Sequence, residues 1–430
     1  MPVRKLNAVL ALSLLGVATV AAATPPAAVT QFQQLQTALQ HTHAAHDWRA
    51  NLVSALQLRA LLNNSPDSLL EVARARVQLG DLAGAREEIA TYARMGQSAD
   101  LMAVSADFAP LLRSRGFGPL QQALTANAQP LARATAFLQL PDPQLLAEDL
   151  DYAPGSQQFF VTSVREHKVV TLGMDGSSRD FAAAPDGWPL LAVKVDTAHG
   201  RLWVTEVALR GLRFSPARDW GRGALLCYDL ASGKLLLRVE APKDSNLGDM
   251  LLTSAGAVIV SDADGGGVYR LSADTAALQR LDRGDFISPQ TPAAHPDGKH
   301  IFVPDYLRGV ALLELATGRV QWLPMAGRHA LSGIDGLYFT RGHLLAVQNG
   351  TSPARVTALR LSHSLTRIDA ERLIERATPG LDPTHGVVVG ETFYYLANSG
   401  WDAIDAKGGI KPGAMLSAAR LMRVPLQAVF

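Results

Sequence analysis

Carboxylate, amide and imidazole side chains stand shortly before several glycine-containing turns of this chain. The stretches are "LLAEDLDYAPG", "SNLGDMLLTSAG", "ISPQTPAAHPDG", "LSGIDGLYFTRG" and "LDPTHGVVVG". Counted back from each turn glycine, they offer side chains at a comparable depth: Glu148, Asn246 with Asp249, Gln290, Asp335 and His385. Carboxylate and amide oxygens suit a hard divalent cation, and calcium is favoured over a transition metal. These residues predict a cation site if the turns belong to one repeated unit.

A repeated unit is indicated by the turns themselves. Beyond about residue 141, short apolar strands bounded by glycine turns replace the helical periodicity. The leading turn glycines are spaced by 42 to 56 residues: Gly155, Gly200, Gly256, Gly298, Gly342 and Gly390. This is the period of four-stranded propeller blades. We therefore predict a six-bladed β-propeller over residues 141–430, with an ordinary β-sandwich as the alternative.

Closure of the propeller brings distant residues together. The last strand, near "RLMRVPL", is expected to pair with a strand that precedes residue 145. In a closed ring, the loops that lead into the inner strands converge on one mouth of the central channel. We therefore predict that Glu148, Asn246, Gln290 and Asp335 are metal ligands at this mouth.

Residues 141 to 405 resemble the regucalcin, gluconolactonase and paraoxonase-like six-bladed propellers. "EDLDY" places Glu148 at the position of the family's first-blade metal glutamate, and "DGLYF" carries the family's D-G-L aspartate as Asp335. "NLGDM" places Asn246 at the third-blade asparagine, whereas "QTPAAHPDG" has Gln290 where the family has asparagine. The resemblance implies a divalent cation in the channel, usually calcium, and hydrolysis of small lactones or esters.

The resemblance also implies a mechanism, metal-assisted hydrolysis in which Asp335 or His385 accepts a proton. A solvent-facing loop histidine is the alternative interpretation of His385. Asn349 belongs to a predicted hairpin turn, with a position in the channel as the alternative. Trp401 either lines the channel or packs between blades.

Two other functional classes compete with a hydrolase. One is a non-enzymatic binding protein in which the helical repeats and the propeller rim bind a partner and any metal is structural. The other, a quinone-cofactor dehydrogenase, is disfavoured because six blades with only 6 tryptophans is an unexpected size for such an enzyme.

The N-terminal part, residues 24–140, has helical periodicity. Ala73, Gly80 and Ala85 flank an "LGD" turn with the spacing of one tetratricopeptide repeat, whose small residues let two helices approach closely. Stacked helix pairs form either a groove for a protein partner or a cap that packs on the next domain.

Residues 1–23 predict a secretory signal. Arg4 and Lys5 precede an apolar run, and Ala21 and Ala23 form an A-x-A cleavage site. An uncleaved anchor helix is the alternative. We expect a mature periplasmic or secreted protein without a membrane segment.

The charge balance and the cysteine content exclude several partners and cross-links. With 40 basic and 39 acidic residues the net charge is +1, so no nucleic-acid partner is indicated. Cys227 is the only cysteine, which excludes an internal disulfide and predicts a buried thiol within an apolar strand.

Overall fold

The structure, a computed structural model, describes residues 27–430 apart from residues 273, 326 and 327. The predicted secretory signal, residues 1–23, lies outside the described residues. Within the described residues, no helix is long and apolar enough to cross a membrane.

Seven α-helices precede the first strand in the part of the chain that the structure describes. Asp47 and Asp81 cap the second and fourth helices by accepting hydrogen bonds from backbone N–H groups of the first turn. The helices are α1 (Ala27–Ala44), α2 (Trp48–Leu61), α3 (Pro66–Gln78), α4 (Leu82–Arg94), α5 (Leu101–Val104), α6 (Ala109–Leu112) and α7 (Gly118–Asn127).

Small residues lie where α3 and α4 pack together. Ala73 and Ala85 are both 0% exposed, and they belong to the same hydrophobic cluster. Gly80 adopts a φ of +81° in the turn between the two helices, a conformation that favours glycine. The close packing of this pair follows the predicted spacing, while its tetratricopeptide-like character stays a prediction.

The rest of the described chain forms six antiparallel sheets arranged as the blades of a propeller, which confirms the predicted fold. Two short strands come first, β1 (Leu131–Ala132) and β2 (Thr135–Gln139). The other strands, numbered in chain order, are as follows: blade 1, β3 (Ala147–Ala153), β4 (Gln158–Ser163), β5 (Lys168–Gly173) and β6 (Ser178–Ala183); blade 2, β7 (Leu190–Asp196), β8 (Arg201–Val207), β9 (Gly223–Asp229) and β10 (Leu235–Glu240); blade 3, β11 (Leu247–Leu252), β12 (Val258–Asp262), β13 (Gly267–Leu271) and β14 (Leu278–Arg280); blade 4, β15 (Ala293–Ala294), β16 (His300–Asp305), β17 (Gly309–Glu314) and β18 (Val320–Trp322); blade 5, β19 (Gly336–Thr340), β20 (His343–Gln348), β21 (Arg355–Leu361) and β22 (Ile368–Arg376); blade 6, β23 (Gly386–Val389), β24 (Thr392–Leu396) and β25 (Arg420–Pro425).

The ring closes through strands from the two ends of the propeller sequence. β25 pairs with β2, with Ala136 opposite Met422, so the last blade contains the strand that comes before residue 145. This confirms the predicted closure. β1 also joins the propeller, since it pairs with the outer strand β22 of blade 5. Radial closure leaves no long sheet edge unpaired.

The predicted turn glycines lie where the blade repeat requires them. Each of the six lies in the turn between the first and second strands of its blade. Five of them have a positive φ, which a residue with a Cβ rarely adopts. In the turn that contains Gly155, it is Gln157 that has the positive φ. The periodicity read from the sequence is therefore a periodicity of tight turns.

The helical region packs against one end of the propeller. The side chain of Asn63 donates to the carbonyl oxygen of Arg308 at 3.0 Å, and the backbone N–H of Ser98 donates to the carbonyl oxygen of Ser352 at 2.6 Å. Arg308 and Ser352 lie in the loops that join the second and third strands of blades 4 and 5. The inner strands begin at this same end, so the helices lie at the end of the propeller that carries the channel mouth.

Cys227 lies in β9 with 2% of its surface exposed, as predicted for a buried thiol. Burial raises the pKa of this thiol to about 11. The thiol is therefore protonated and unreactive near neutral pH.

Glu206 in β8 makes the stability of the protein depend on pH. It is 0% exposed, and its Oε1 accepts the N–H groups of Asp186 at 3.0 Å and Trp188 at 3.2 Å. Burial raises its pKa from 4.5 to about 7. Because the folded-state pKa exceeds the unfolded-state pKa, this residue should lower the free energy of unfolding as pH rises from about 4.5 to about 7.

Glu206→Gln should remove that pH dependence. We expect the free energy of unfolding of the variant to exceed that of the wild type by on the order of 2–3 kcal/mol at pH 8. At pH 4.5 the two free energies of unfolding should be nearly equal. Urea unfolding at the two pH values measures the difference. An equal stability difference between variant and wild type at the two pH values would contradict ionisation of the buried Glu206 carboxyl as the cause of that difference.

Candidate functional site

Glu148, Asp335 and His385 meet at the beginning of three inner strands. Glu148 is the second residue of β3, while Asp335 and His385 directly precede β19 and β23. One ligand atom from each residue lies within 4.8 Å of the other two. Blades 1, 5 and 6 thus bring together three of the residues predicted from the turn spacing, because each blade repeats the same strand entrance.

His385 is bound at both ring nitrogens. Its Nδ1 lies 2.8 Å from the carbonyl oxygen of Glu148, and its Nε2 lies 2.7 Å from Oδ1 of Asp249. Thr291 donates its hydroxyl hydrogen to the same oxygen of Asp249. A carbonyl oxygen and a carboxylate both accept hydrogen bonds, so both nitrogens of His385 donate and the ring is an imidazolium.

The charges around His385 agree with this protonation. Burial lowers the pKa of the buried imidazole, but the carboxylates of Asp149, Asp249 and Asp335 outweigh burial and hold the pKa well above its usual value. In this state His385 has no lone pair with which to accept a proton or bind a metal ion. It supplies a fixed positive charge instead.

The carboxyl group of Glu148 is hydrogen-bonded to Trp401, whose Nε1–H donates to Oε2 of Glu148 at 2.6 Å. Burial, and after it the negative charge of Asp335, raises the pKa of Glu148 to about 8. The positive charge of His385 and the hydrogen bond from Trp401 act in the opposite direction. Without a cation, Glu148 is therefore mostly protonated at neutral pH.

Asp335 is oriented by a chain of hydrogen bonds. The side-chain N–H of Asn349 donates to Oδ2 of Asp335 at 2.5 Å, and the hydroxyl of Tyr306 donates to Oδ1 of Asn349 at 2.9 Å. Burial raises the pKa of Tyr306 well above its usual value, and the charges of Asp335 and of Asp67 in α3 add to this effect. Asp335 is therefore held in position by hydrogen bonds. The effect of Asp67 on Tyr306 indicates that the helical region reaches the same end of the channel.

Asn246 and Gln290 make hydrogen bonds with neighbouring residues of their own part of the chain. The backbone N–H of Asn246 donates to Oδ1 of Asp262 at 2.8 Å, and its side chain bonds to Asp264. The side-chain N–H of Gln290 donates to the carbonyl and hydroxyl oxygens of Ser288, each at 3.1 Å. The structure thus gives blade 3 and blade 4 different residues at the cluster, Asp249 and Thr291.

An exact count from the turn glycines separates these residues. Asp249 and Thr291 each lie seven residues before their turn glycine, as do Glu148 and Asp335. Asn246 lies ten residues before its glycine, and Gln290 lies eight before its own. A uniform depth of seven residues therefore selects Asp249 and Thr291 over Asn246 and Gln290.

An ion pair that the sequence did not predict lies beside the cluster. Lys194 donates to Oδ2 of Asp149 at 2.7 Å, and the same oxygen accepts the N–H of Val193 at 2.9 Å. Burial lowers the pKa of Lys194, but Asp149 and Asp151 outweigh burial and raise it. Blades 1 and 2 therefore share a buried, mutually neutralised pair.

Two long loops cover the blade 1 side of the mouth. They connect the second and third strands of blade 6 (397–419) and of blade 2 (208–222). The loops meet where the N–H of Arg213 donates to the carbonyl oxygen of Lys407 at 2.9 Å and where the rings of Phe214 and Trp401 lie 6.2 Å apart. Trp401 of the blade 6 loop thus packs against the blade 2 loop and also bonds to the carboxyl of Glu148.

The carboxyl groups of Glu148 and Asp335 fit a divalent cation. Their close approach is part of what raises the pKa of Glu148, and a bound cation would relieve this repulsion. Carboxylate oxygens are ligands that calcium and magnesium prefer. His385 does not fit as a third ligand because both of its nitrogens donate to other groups.

No protein-family model and no curated protein sequence matches this chain. Its structural neighbours include a gluconolactonase and a regucalcin. The gluconolactonase from Xanthomonas campestris has 17% identity and a TM-score of 0.46, and the match covers 70% of this chain and 93% of the other. The calcium-binding protein regucalcin from Agrobacterium tumefaciens has 18% identity and a TM-score of 0.45, with 67% and 95% covered.

The PQQ-bound aldose sugar dehydrogenase from Streptomyces coelicolor is also similar, with 13% identity and a TM-score of 0.47. The match covers 69% of this chain and 99% of the other. The strand pairing of this chain, and not these low identities, establishes its six-bladed architecture.

Proposed function

We propose that this chain is an exported hydrolase that uses a divalent cation, with calcium as the first candidate, to cleave a small lactone or ester in the propeller channel. The observation that supports this most is the meeting of Glu148, Asp335 and His385 at the channel mouth. The two carboxyl groups provide oxygen ligands for the cation. The signal-like pattern of residues 1–23 supports export to the periplasm or the medium.

Glu148 and Asp335 would hold the cation, which when bound polarises a carbonyl group and lowers the pKa of a water molecule. Asp335 is the residue that we assign to accepting a proton, because Asn349 orients its carboxylate. His385 donates from both nitrogens, so it contributes positive charge near the reacting carbonyl rather than a base. The helices and the two long loops at the mouth favour a small substrate.

Thermal unfolding of the mature protein, residues 24–430, tests the cation site. The midpoint is measured after chelation and then with calcium, magnesium or manganese. A ligand that binds only the folded state stabilises it by about 2.7 kcal/mol at a hundredfold excess over its dissociation constant, so the midpoint should rise. A panel of small lactones and esters then tests turnover. No shift and no turnover would favour the binding-protein alternative.

Asp335→Asn should weaken the cation site and abolish turnover. The substitution keeps the size of the side chain but removes one of two carboxylates, so we expect calcium affinity to fall at least tenfold, measured by titration calorimetry. Asp47→Asn is the matched control, because Asp47 is an exposed helix cap and asparagine caps equally well. Equal calcium affinity of Asp335→Asn and the control would remove Asp335 from the site.

A further inference from the structure

Another group of metal-ligating side chains lies on the hairpin between β15 and β16 of blade 4. The hairpin has the sequence "HPDGKH", which contributes His295, Asp297 and His300. It lies at the far end of β15 from Thr291, the residue that bonds to Asp249 at the channel mouth. The group is therefore separate from the candidate site described above.

The donor atoms of these three side chains converge. Nδ1 of His295 lies 2.9 Å from Oδ1 of Asp297, and Nδ1 of His300 lies 2.7 Å from Oδ2 of the same carboxylate. One ligand atom from each residue lies within 4.8 Å of the other two. Both imidazoles thus present Nδ1 to the same carboxylate. Nδ1 of His295 also accepts the backbone N–H of Asp297 at 3.2 Å, a weak contact that a metal ion would replace.

The hairpin holds these groups in place before any ion binds. The carboxylate of Asp297 accepts the backbone N–H groups of Lys299 at 2.8 Å and His300 at 3.0 Å. The ring of His295 packs 5.1 Å from the ring of Phe302 and 5.6 Å from that of His300. The side chains of His295, Asp297 and His300 are 12%, 35% and 30% exposed, so the group is partly sheltered yet open to solvent on one side.

We propose that His295, Asp297 and His300 form a binding site for a zinc-class divalent ion such as Zn²⁺ or Co²⁺. Two imidazole nitrogens and one carboxylate oxygen are a donor set for such ions, whereas calcium and magnesium prefer oxygen ligands alone. Ligand distances of about 2.0–2.2 Å require the nitrogen and oxygen atoms to separate slightly, which the partly exposed His300 allows. Solvent supplies the remaining coordination position.

Metal titration of the full mature chain in saturating calcium tests this proposal, and the comparison with Asp335→Asn makes the test independent of the proposed function. The visible spectrum of added Co²⁺ reports coordination by imidazole nitrogen, and calorimetry with Zn²⁺ reports stoichiometry and affinity. We expect one equivalent of Zn²⁺ to bind to the wild type and to Asp335→Asn alike. Zn²⁺ binding that is lost in Asp335→Asn would place the ion in the channel and overturn the proposal.

Variants of the hairpin complete the test. His300→Ala should lower the Zn²⁺ affinity at least tenfold and remove the Co²⁺ spectrum, whereas His363→Ala, at an exposed histidine elsewhere, should leave both unchanged. Asp297→Asn is a second variant that keeps a turn-forming residue and removes the charged ligand, and it should also weaken binding. Wild-type Zn²⁺ affinity in both hairpin variants would overturn the proposal.

Discussion

Arg355→Ala is expected to lower the free energy of unfolding by about 3–5 kcal/mol, the cost of removing one partner from a buried charged network. Arg355 is only 1% exposed although it carries a full charge. Its guanidinium donates to the side-chain oxygen of Gln348 at 3.0 Å and to the carbonyl oxygens of Met95 at 3.2 Å and Ala330 at 3.3 Å, and it lies 3.5 Å from Glu371.

The loss should be large because several groups depend on this one side chain. Alanine would remove one donor from the carbonyl oxygens of Met95 and Ala330, which would keep only Gln97 and Gln348, and it would open a cavity as well. Met95 belongs to the helical region, whereas Ala330 and Gln348 belong to the propeller. Arg355→Ala should therefore also loosen the attachment of the helices, and limited proteolysis should cut between the helical region and the propeller more readily.

Urea unfolding measures the effect of Arg355→Ala. Arg360→Ala is the matched control, since Arg360 lies on the same strand with an exposed side chain, and its effect should stay within about 0.5 kcal/mol. A loss below about 1 kcal/mol for Arg355→Ala would show that water or nearby groups satisfy the abandoned acceptors, and it would contradict the role of Arg355 as the link between the two regions.

Glu148→Gln is expected to change cation affinity and stability in opposite directions. Removing one carboxylate should weaken calcium binding by roughly 1,000-fold, since a charge contact at about 4 Å is worth on the order of 4 kcal/mol at an effective dielectric constant of about 20. The same change removes the repulsion between Glu148 and Asp335. After chelation, the variant should therefore be more stable than the wild type by on the order of 4 kcal/mol at pH 8.

The sign of the pH dependence follows from the raised pKa of Glu148. Its folded-state pKa of about 8 exceeds the ordinary value of 4.5, so the residue destabilises the cation-free protein increasingly as pH rises from about 4.5 to about 8. The stability gain of Glu148→Gln should shrink toward zero as pH falls to 4.5. Calcium binding to the wild type should release a proton below pH 8 and strengthen as pH rises.

Chelated and calcium-loaded samples of Glu148→Gln, unfolded thermally at several pH values, test both signs together. Glu87→Gln is the matched control, because Glu87 is exposed on α4. A variant that loses affinity and stability together would indicate general damage to the channel mouth. A variant with unchanged affinity would remove Glu148 from the cation site.

The blade repeat could be read from the sequence because its signal is local. A tight turn between two strands needs a residue that tolerates a positive φ, and five of the six predicted glycines have one. Asp335 and His385 could be placed for the same reason, since each directly precedes the inner strand of its blade. Four-stranded spacing then implies a closed ring, in which these strand entrances converge.

The residues that complete the site depend on contacts that the spacing does not encode. Asp249 binds one ring nitrogen of His385, and the backbone carbonyl oxygen of Glu148 accepts from the other. Trp401 reaches Glu148 from a loop that begins in another blade. These are pairings between blades, and none of them follows from the neighbours of a residue along the chain.

The sequence by itself determined the class of the fold, the number of blades, the closing strand and the pair Glu148 and Asp335, because turn chemistry and strand periodicity are properties of short segments. Only the tertiary structure decided that His385 is hydrogen-bonded at both ring nitrogens, and that the helical region packs against blades 4 and 5 through contacts such as that of Arg355 with Met95. Protonation and docking depend on burial and on which charges come together, and these arise only when distant segments pack.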